Sequence, residues 1–243
     1  MKTLGVIGGT GPLATSYFFE RIVLITDAKS DQDHIDVILY NRPSMPDRTG
    51  YITGKSKVSP VVPMIEIGSR LADQGADYIA IPCITAHSFF NELSEGIDVP
   101  IINFLEETGN HIEEEGIRNV GLMATDGTVF SGMFQNTLMN KGIEAILPSK
   151  KAQSYVMDII YRDIKSGKSV DTDKLAYVVG ELKDKHVDGI ILGCTELSLL
   201  KKGCAAGREF IDPLEIAAEK AVALCGGKVK KSLRHPGGDV VCR

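Results

Sequence analysis

Two cysteines stand in matching settings. Cys83 lies in YIAIPCITAH (78–87) and Cys194 in GIILGCTEL (189–197); each ends an apolar run and has a threonine one or two residues on. Cysteine is a small, often buried hydrophobe, and packing alone accounts for Cys204 and Cys225 and leaves Cys242 in a tail. Packing accounts poorly for two cysteines at equivalent strand ends. A thiol at the carboxyl end of a strand in a parallel sheet faces the side where ligands bind, and the positive end of the following helix favours its thiolate. Two such thiols aimed at one ligand from opposite sides suggest paired chemistry. A Cys83–His87 nucleophile is the rival reading, but a histidine four residues on points along the helix, and no second histidine matches it near Cys194. His87 is therefore expected to be structural.

Other residues could complete a site. Gly9-Thr10-Gly11-Pro12-Leu13-Ala14 fits the glycine pattern of a dinucleotide-binding turn, yet the second strand ends in Tyr40 and Asn41 where that motif needs an acidic residue. Pro12 also removes an amide from the turn. The turn reads better as a set of amides, with Thr10, facing an anionic group such as a carboxylate. Arg48 lies in the Pro-rich loop NRPSMPDRTG (41–50), on the same face, and its planar fork suits a carboxylate. Taken alone, Lys165 complements a helix C-terminus, and Glu196, directly after Cys194-Thr195, complements a helix N-terminus.

Apolar runs read as strands at 4–9, 35–40, 77–82, 99–104, 119–125, 143–147, 187–193 and 209–213, with helical patterns at 12–27, 60–75, 85–94, 130–140, 151–165 and 172–186. This alternation predicts an α/β protein with parallel sheets covered by helices. The pattern also restarts halfway. Leu4 and Val120 begin similar strand–turn segments 116 residues apart, Cys83 and Cys194 are 111 apart, and Asn103 and Asp212 are 109 apart. Two pseudosymmetric lobes follow, each with a mostly parallel sheet and one cysteine, with the site in the cleft between them. The expected division is 1–103 plus 212–227, then 104–211, with 228–243 as a loose tail. A net charge of −5 provides no nucleic-acid footprint, no apolar run reaches membrane-spanning length, and the odd cysteine number fits a reducing, cytoplasmic setting. No CxxC or HxxxH pair offers metal-ligand spacing, so no metal is expected.

GGTGPLAT, YNRPSMPDRT, IPCITAH, ATDGTVFSGMFQ and GCTEL, in this order from about residue 2 to 224, resemble the aspartate/glutamate racemase superfamily, most of all its pyridoxal-independent aspartate racemase branch. The resemblance implies cofactor-free racemisation of an amino acid, aspartate or glutamate: one of Cys83 and Cys194 removes the Cα proton and the other delivers a proton to the opposite face. It places Thr85 and Thr195 as hydrogen-bonding neighbours of the cysteines, Arg48 and Lys165 on the substrate carboxylates, and Thr128 and Glu196 along the cleft. It also implies a homodimer, with no nucleic-acid or membrane partner.

Two positions depart from the family pattern. Ile84 stands where the family usually has Asn, and Thr10 where it usually has Met. Both alter the pocket lining and leave the two cysteines in place. Related activities, namely hydantoin racemase, maleate isomerase and arylmalonate decarboxylase, are the neighbouring readings; the decarboxylase needs one cysteine only. A non-catalytic amino-acid or dicarboxylate binder is the reading from a different class.

Overall fold

Strand β1 (Thr3–Gly8) has five consecutive buried residues, the pattern of a strand covered on both faces, and it is the centre of the first sheet. The computed structural model describes residues 1–203 and 209–230. After β1 the first half runs through α1 (Pro12–Ile25), β2 (Asp36–Asn41), α2 (Arg48–Ile52), α3 (Val61–Asp73), β3 (Tyr78–Ala80), α4 (Phe90–Gly96) and α5 (Phe104–Glu114). The second half has β4 (Asn119–Ala124), α6 (Asp126–Ser131), α7 (Met133–Met139), β5 (Glu144–Ile146), α8 (Lys150–Asp158), α9 (Thr172–Asp184), β6 (Gly189–Gly193), β7 (Phe210–Ile211) and α10 (Pro213–Leu224). All paired strands are parallel, in the orders β2-β1-β3 and β5-β4-β6-β7. The expected two-sheet α/β architecture is present.

The repeat extends to the level of single caps. Residues 99–104, expected as a strand, make one parallel bridge, Ile79 to Ile101. Pro100 has no N–H with which to extend the ladder, and Asn103 already caps α5, accepting from the N–H groups of Leu105 and Glu106. In the other sheet β7 is equally brief, and Asp212 caps α10 by accepting from Leu214 N–H. Each half thus ends a vestigial strand in a side-chain cap.

Three expected helices differ in detail. The segment expected over 130–140 starts instead at Asp126, capped by Thr125, and breaks at Gly132 with φ 66°. The one expected over 85–94 opens with a 3-10 turn, Ile84–Phe89. The third, 151–165, changes pitch after Asp158 into a π-helical turn, Ile159–Ile164. Helices α5 and α10 were not anticipated. They pack against one another, and α10 also packs on α1, within a buried cluster that includes Phe18, Phe104, Phe134 and Val222. This cluster reaches both sheets through Leu4 and Val6 of β1 and Val120 and Leu122 of β4. Separate clusters fill the outer faces: Met64, Ile67 and Leu71 of α3 under the first sheet, and Val156, Val178 and Leu182 of α8 and α9 under the second.

Residues 228–230 pair antiparallel with 25–27, through the Thr26–Val229 bridge and the Lys230 N–H on Ile25 O. The rest of the expected tail, with Cys242, and also Cys204, lies outside the described residues. Among the described residues no helix is long and apolar enough to cross a membrane, and no cluster of three or more His, Cys, Asp or Glu could hold a metal.

Cys225, at the end of α10, is fully buried. Burial, with a smaller contribution from Asp77 against Lys2, pushes its thiol up to about 11. A folded pKa above the unfolded value means that the neutral thiol stabilises the fold below pH about 9, and that this contribution disappears as pH rises through about 11. Thermal melts of Cys225→Ala should therefore fall less steeply across that window than melts of the unaltered protein. Parallel curves would remove Cys225 as the cause.

Candidate active site

The carboxyl ends of the central strands build the site. Beyond β3, the Cys83 N–H donates to Ile81 O at 2.7 Å, and Cys83 O accepts from Ala86 N–H at 3.1 Å to start the 3-10 turn. Beyond β6, Cys194 O accepts from Leu197 N–H at 2.9 Å and starts the corresponding turn. The two cysteines occupy equivalent places, and both border one cleft. A direct bond ties their surroundings together: Thr195 Oγ1 donates to Pro82 O at 3.0 Å.

One wall carries Cys83, Ile84 and Thr85, and the other Cys194, Thr195 and Glu196. Thr10, in the glycine turn, also lines the cleft; its Oγ1 is buried and has no hydrogen-bond partner among the described residues. Arg48 is the first residue of α2, held there because Asp47 caps that helix by accepting from Gly50 N–H. Arg48 Nη1 donates to Pro46 O at 2.8 Å, while its Nε is buried without a hydrogen-bond partner among the described residues. Burial opposes the Arg48 charge, but the Cys83 sulfur beside it, with Asp47 and Glu196, outweighs burial and holds its pKa above the ordinary arginine value.

Lys165 follows the π turn, whose wider pitch sets both it and Tyr161 against the cleft. Its Nζ lies 2.5 Å from Glu196 Oε1. Burial works against the ammonium, yet Glu196 and then Cys194 hold its pKa above the usual lysine range. Glu196 Oε2 accepts from the Cys194 thiol at 2.9 Å. Burial first, and the Glu196 charge second, push the Cys194 pKa well up, with Lys165 opposing. Gly11, with φ 123°, faces Glu196 Oε1 so closely that a Cβ there would collide with it. At the cleft rim the Tyr161 hydroxyl meets Thr49; burial raises the Tyr161 pKa, and that contact partly opposes the rise.

Three threonine hydroxyls form a buried triangle: Thr85 to Thr125 at 2.9 Å, Thr85 to Thr128 at 3.0 Å, and Thr125 to Thr128 at 3.2 Å. Thr125 lines the cleft and Thr128 stands behind it, so the glycine-turn counterpart that borders the cleft is Thr125 rather than the expected Thr128. Glu196 belongs to the turn preceding the 3-10 segment Leu197–Gly203, not to a first helical turn. Asp47, Thr49, Thr125 and Tyr161 also line the cleft and were not anticipated. His87 is structural, as expected. Its Nδ1 lies 3.0 Å from Cys83 O and its Nε2 3.4 Å from Ile102 O, and burial holds its pKa below the ordinary histidine value.

Paired parallel sheets with a cysteine-bearing turn from each at a common cleft define the class, and comparison with known proteins agrees. The Asp/Glu/Hydantoin racemase family model matches residues 7–221, and the chain belongs to that family. It is an isomerase. An aspartate racemase of Picrophilus torridus is 31% identical in sequence and superposes with a TM-score of 0.84, covering 96% of this chain and 98% of that one. A broad specificity amino-acid racemase of Bacillus subtilis is 25% identical over 224 residues, 90% of this chain and 96% of the relative. Glutamate racemase of Francisella tularensis, solved with D-glutamate, shares the fold with a TM-score of 0.65 at 19% identity, over 92% of this chain and 80% of that one.

Proposed function

We propose that the protein is a cofactor-independent amino-acid racemase that interconverts the L and D forms of aspartate or glutamate by proton transfer between Cys83 and Cys194. The observation that carries this reading is the placement of the two sulfurs at equivalent strand ends on one cleft. On this reading the first lobe, 1–103 with 212–227, supplies Cys83, and the second, 104–211, supplies Cys194.

The chemistry is demanding because an amino-acid Cα–H is a very weak acid. Positioning and donors aimed at the charge that develops on the α-carboxylate must lower the barrier. The cleft has such groups. Thr10 Oγ1 and Arg48 Nε are buried and unpartnered, so a substrate oxygen satisfies them where the protein does not. Arg48 and Lys165 hold the two carboxylates of a dicarboxylic amino acid, and Thr85 and Thr195 position the flanking turns.

Deuterium exchange tests the proposal. In D₂O, L-aspartate or L-glutamate incubated with the protein should acquire deuterium at Cα and yield the D enantiomer. If none of the common amino acids exchanges, the racemase reading fails and a binding role replaces it.

Ile84 supports a second reading, of wider substrate range. It is buried and apolar and lines the cleft directly beside Cys83. A branched apolar wall tolerates side chains that lack a second carboxylate, in keeping with the broad specificity of the Bacillus relative. Ile84→Asn should then move the ratio of kcat/KM for aspartate over an apolar amino acid towards aspartate, by about tenfold, as one added polar contact can. An unchanged profile would remove Ile84 as the selector.

A further inference from the structure

The two sulfurs do not stand in like surroundings. Cys83 faces the Arg48 guanidinium. Cys194 gives its thiol hydrogen to a carboxylate, Glu196 Oε2, at 2.9 Å. Glu196 itself is only 3% exposed and held from three sides: by Cys194, by Lys165 at 2.5 Å, and by Gly11 across the cleft. A pseudosymmetric fold thus presents a cation at one thiol and an anion at the other. Repetition of the fold gives no reason for that difference, since Thr85, which follows Cys83 by two residues as Glu196 follows Cys194, carries no charge.

We infer that Glu196 is a proton-holding residue: it keeps the proton on Cys194 in the free protein, so that Cys194 rests as the acid and Cys83 as the base. The groups facing Cys194 are the Glu196 carboxylate, the Lys165 ammonium and the Tyr161 hydroxyl. Lys165 favours loss of the proton, but its charge is already paired with Glu196. The raised Cys194 pKa accords with the geometry.

In turnover the consequence rests on the two-thiol reading above. Cys83 takes the Cα proton and the C–H electron pair stays on carbon. The Cys194 S–H bond then breaks, and its proton forms the new Cα–H bond on the opposite face. Cys83 is left as thiol, and Cys194 as thiolate beside the Glu196 carboxylate, two anions sharing one ammonium. Once product leaves, that repulsion drives Cys194 to regain a proton from solvent while Cys83 gives one up. Glu196 therefore resets the enzyme for the enantiomer whose Cα–H faces Cys83. This is a positioning role, since Glu196 acts through Cys194.

Site-resolved alkylation of the full chain, without substrate, tests the inference. Iodoacetamide reacts with thiolates, and the two residues differ little in exposure, Cys83 being 6% and Cys194 5% exposed. At near-neutral pH, Cys83 should label at least about tenfold faster than Cys194, the ratio that one pKa unit produces. In Glu196→Gln, Lys165, which acts on both sulfurs, loses its anionic partner, and the Cys194 rate should rise about tenfold and more than that of Cys83. Equal labelling in the unaltered protein, faster labelling of Cys194, or a Glu196→Gln protein with an unchanged ratio would overturn the inference. The first comparison stands even if the variant does not fold. The outcome is separable from the racemase reading: labelling as expected without Cα exchange would keep the asymmetry and discard the reaction, and exchange with equal labelling would do the reverse.

Discussion

Serine at either Cys83 or Cys194 is expected to stop two-way racemisation and leave the fold intact. A hydroxyl is too weak an acid and too poor a base at neutral pH to replace a thiol, and loss of one acid–base partner lowers the rate by about 10²–10⁴-fold or more. The two directions must fall together. L and D enantiomers have equal free energy in water, so kcat/KM for the two directions stays equal in every variant. What differs is exchange. Cys194→Ser retains Cys83, which still removes a proton from one face and returns a deuteron to it, so one enantiomer should acquire deuterium without inversion. Cys83→Ser should do the same for the other enantiomer. Chiral chromatography with mass detection reads both quantities. Two-way racemisation surviving in either variant rules out the two-base assignment.

The second large effect concerns Lys165. Its ammonium is the cationic partner of Glu196, whose side chain is 4% exposed against 26% for the lysine. Removing one member of a buried pair leaves the other charge uncompensated, a loss of about 3 kcal/mol. Lys165→Met should therefore shift the urea midpoint down with little change in slope, and should also abolish activity. The Lys165→Met/Glu196→Gln double variant removes both charges and should regain most of the stability without regaining activity. That pattern separates electrostatic loss from lost packing, because a packing defect at residue 165 would persist in the double variant. A single variant as stable as the parent would show that the pair contributes nothing to folding.

Much of this fold is legible from short apolar runs. Strands β1, β4 and β6 are buried on both faces, and continuous hydrophobicity marks them without ambiguity. Cys83 and Cys194 are legible for the same reason, since each interrupts such a run at its carboxyl end. The helices α5 and α10 are harder. The outer face of α5 is crowded with glutamates, its mean character is polar, and its buried side rests on Phe104, Leu105, Thr108 and Ile112. Alanine-rich α10 buries Ala217, Ala218 and Ala221, which give a weak periodic signal. At the site, Arg48 was legible as a charge on the ligand side and Lys165 only through the family resemblance, while Tyr161 was not legible. Ordinary helical spacing carried through to 165 does not reveal the change of pitch at Ile159 that brings Tyr161 to the cleft. Thr125 was obscured by the neighbouring Thr128, which lies three residues on and forms part of the same hydroxyl triangle. Only coordinates separate the one that borders the cleft.

The bond from Thr195 Oγ1 to Pro82 O adjoins both cysteines in sequence, one residue after Cys194 and one before Cys83. It fastens the two cysteine-bearing turns to each other. Drawing these turns apart would break a buried bond, so the placement of one cysteine is tied to that of the other.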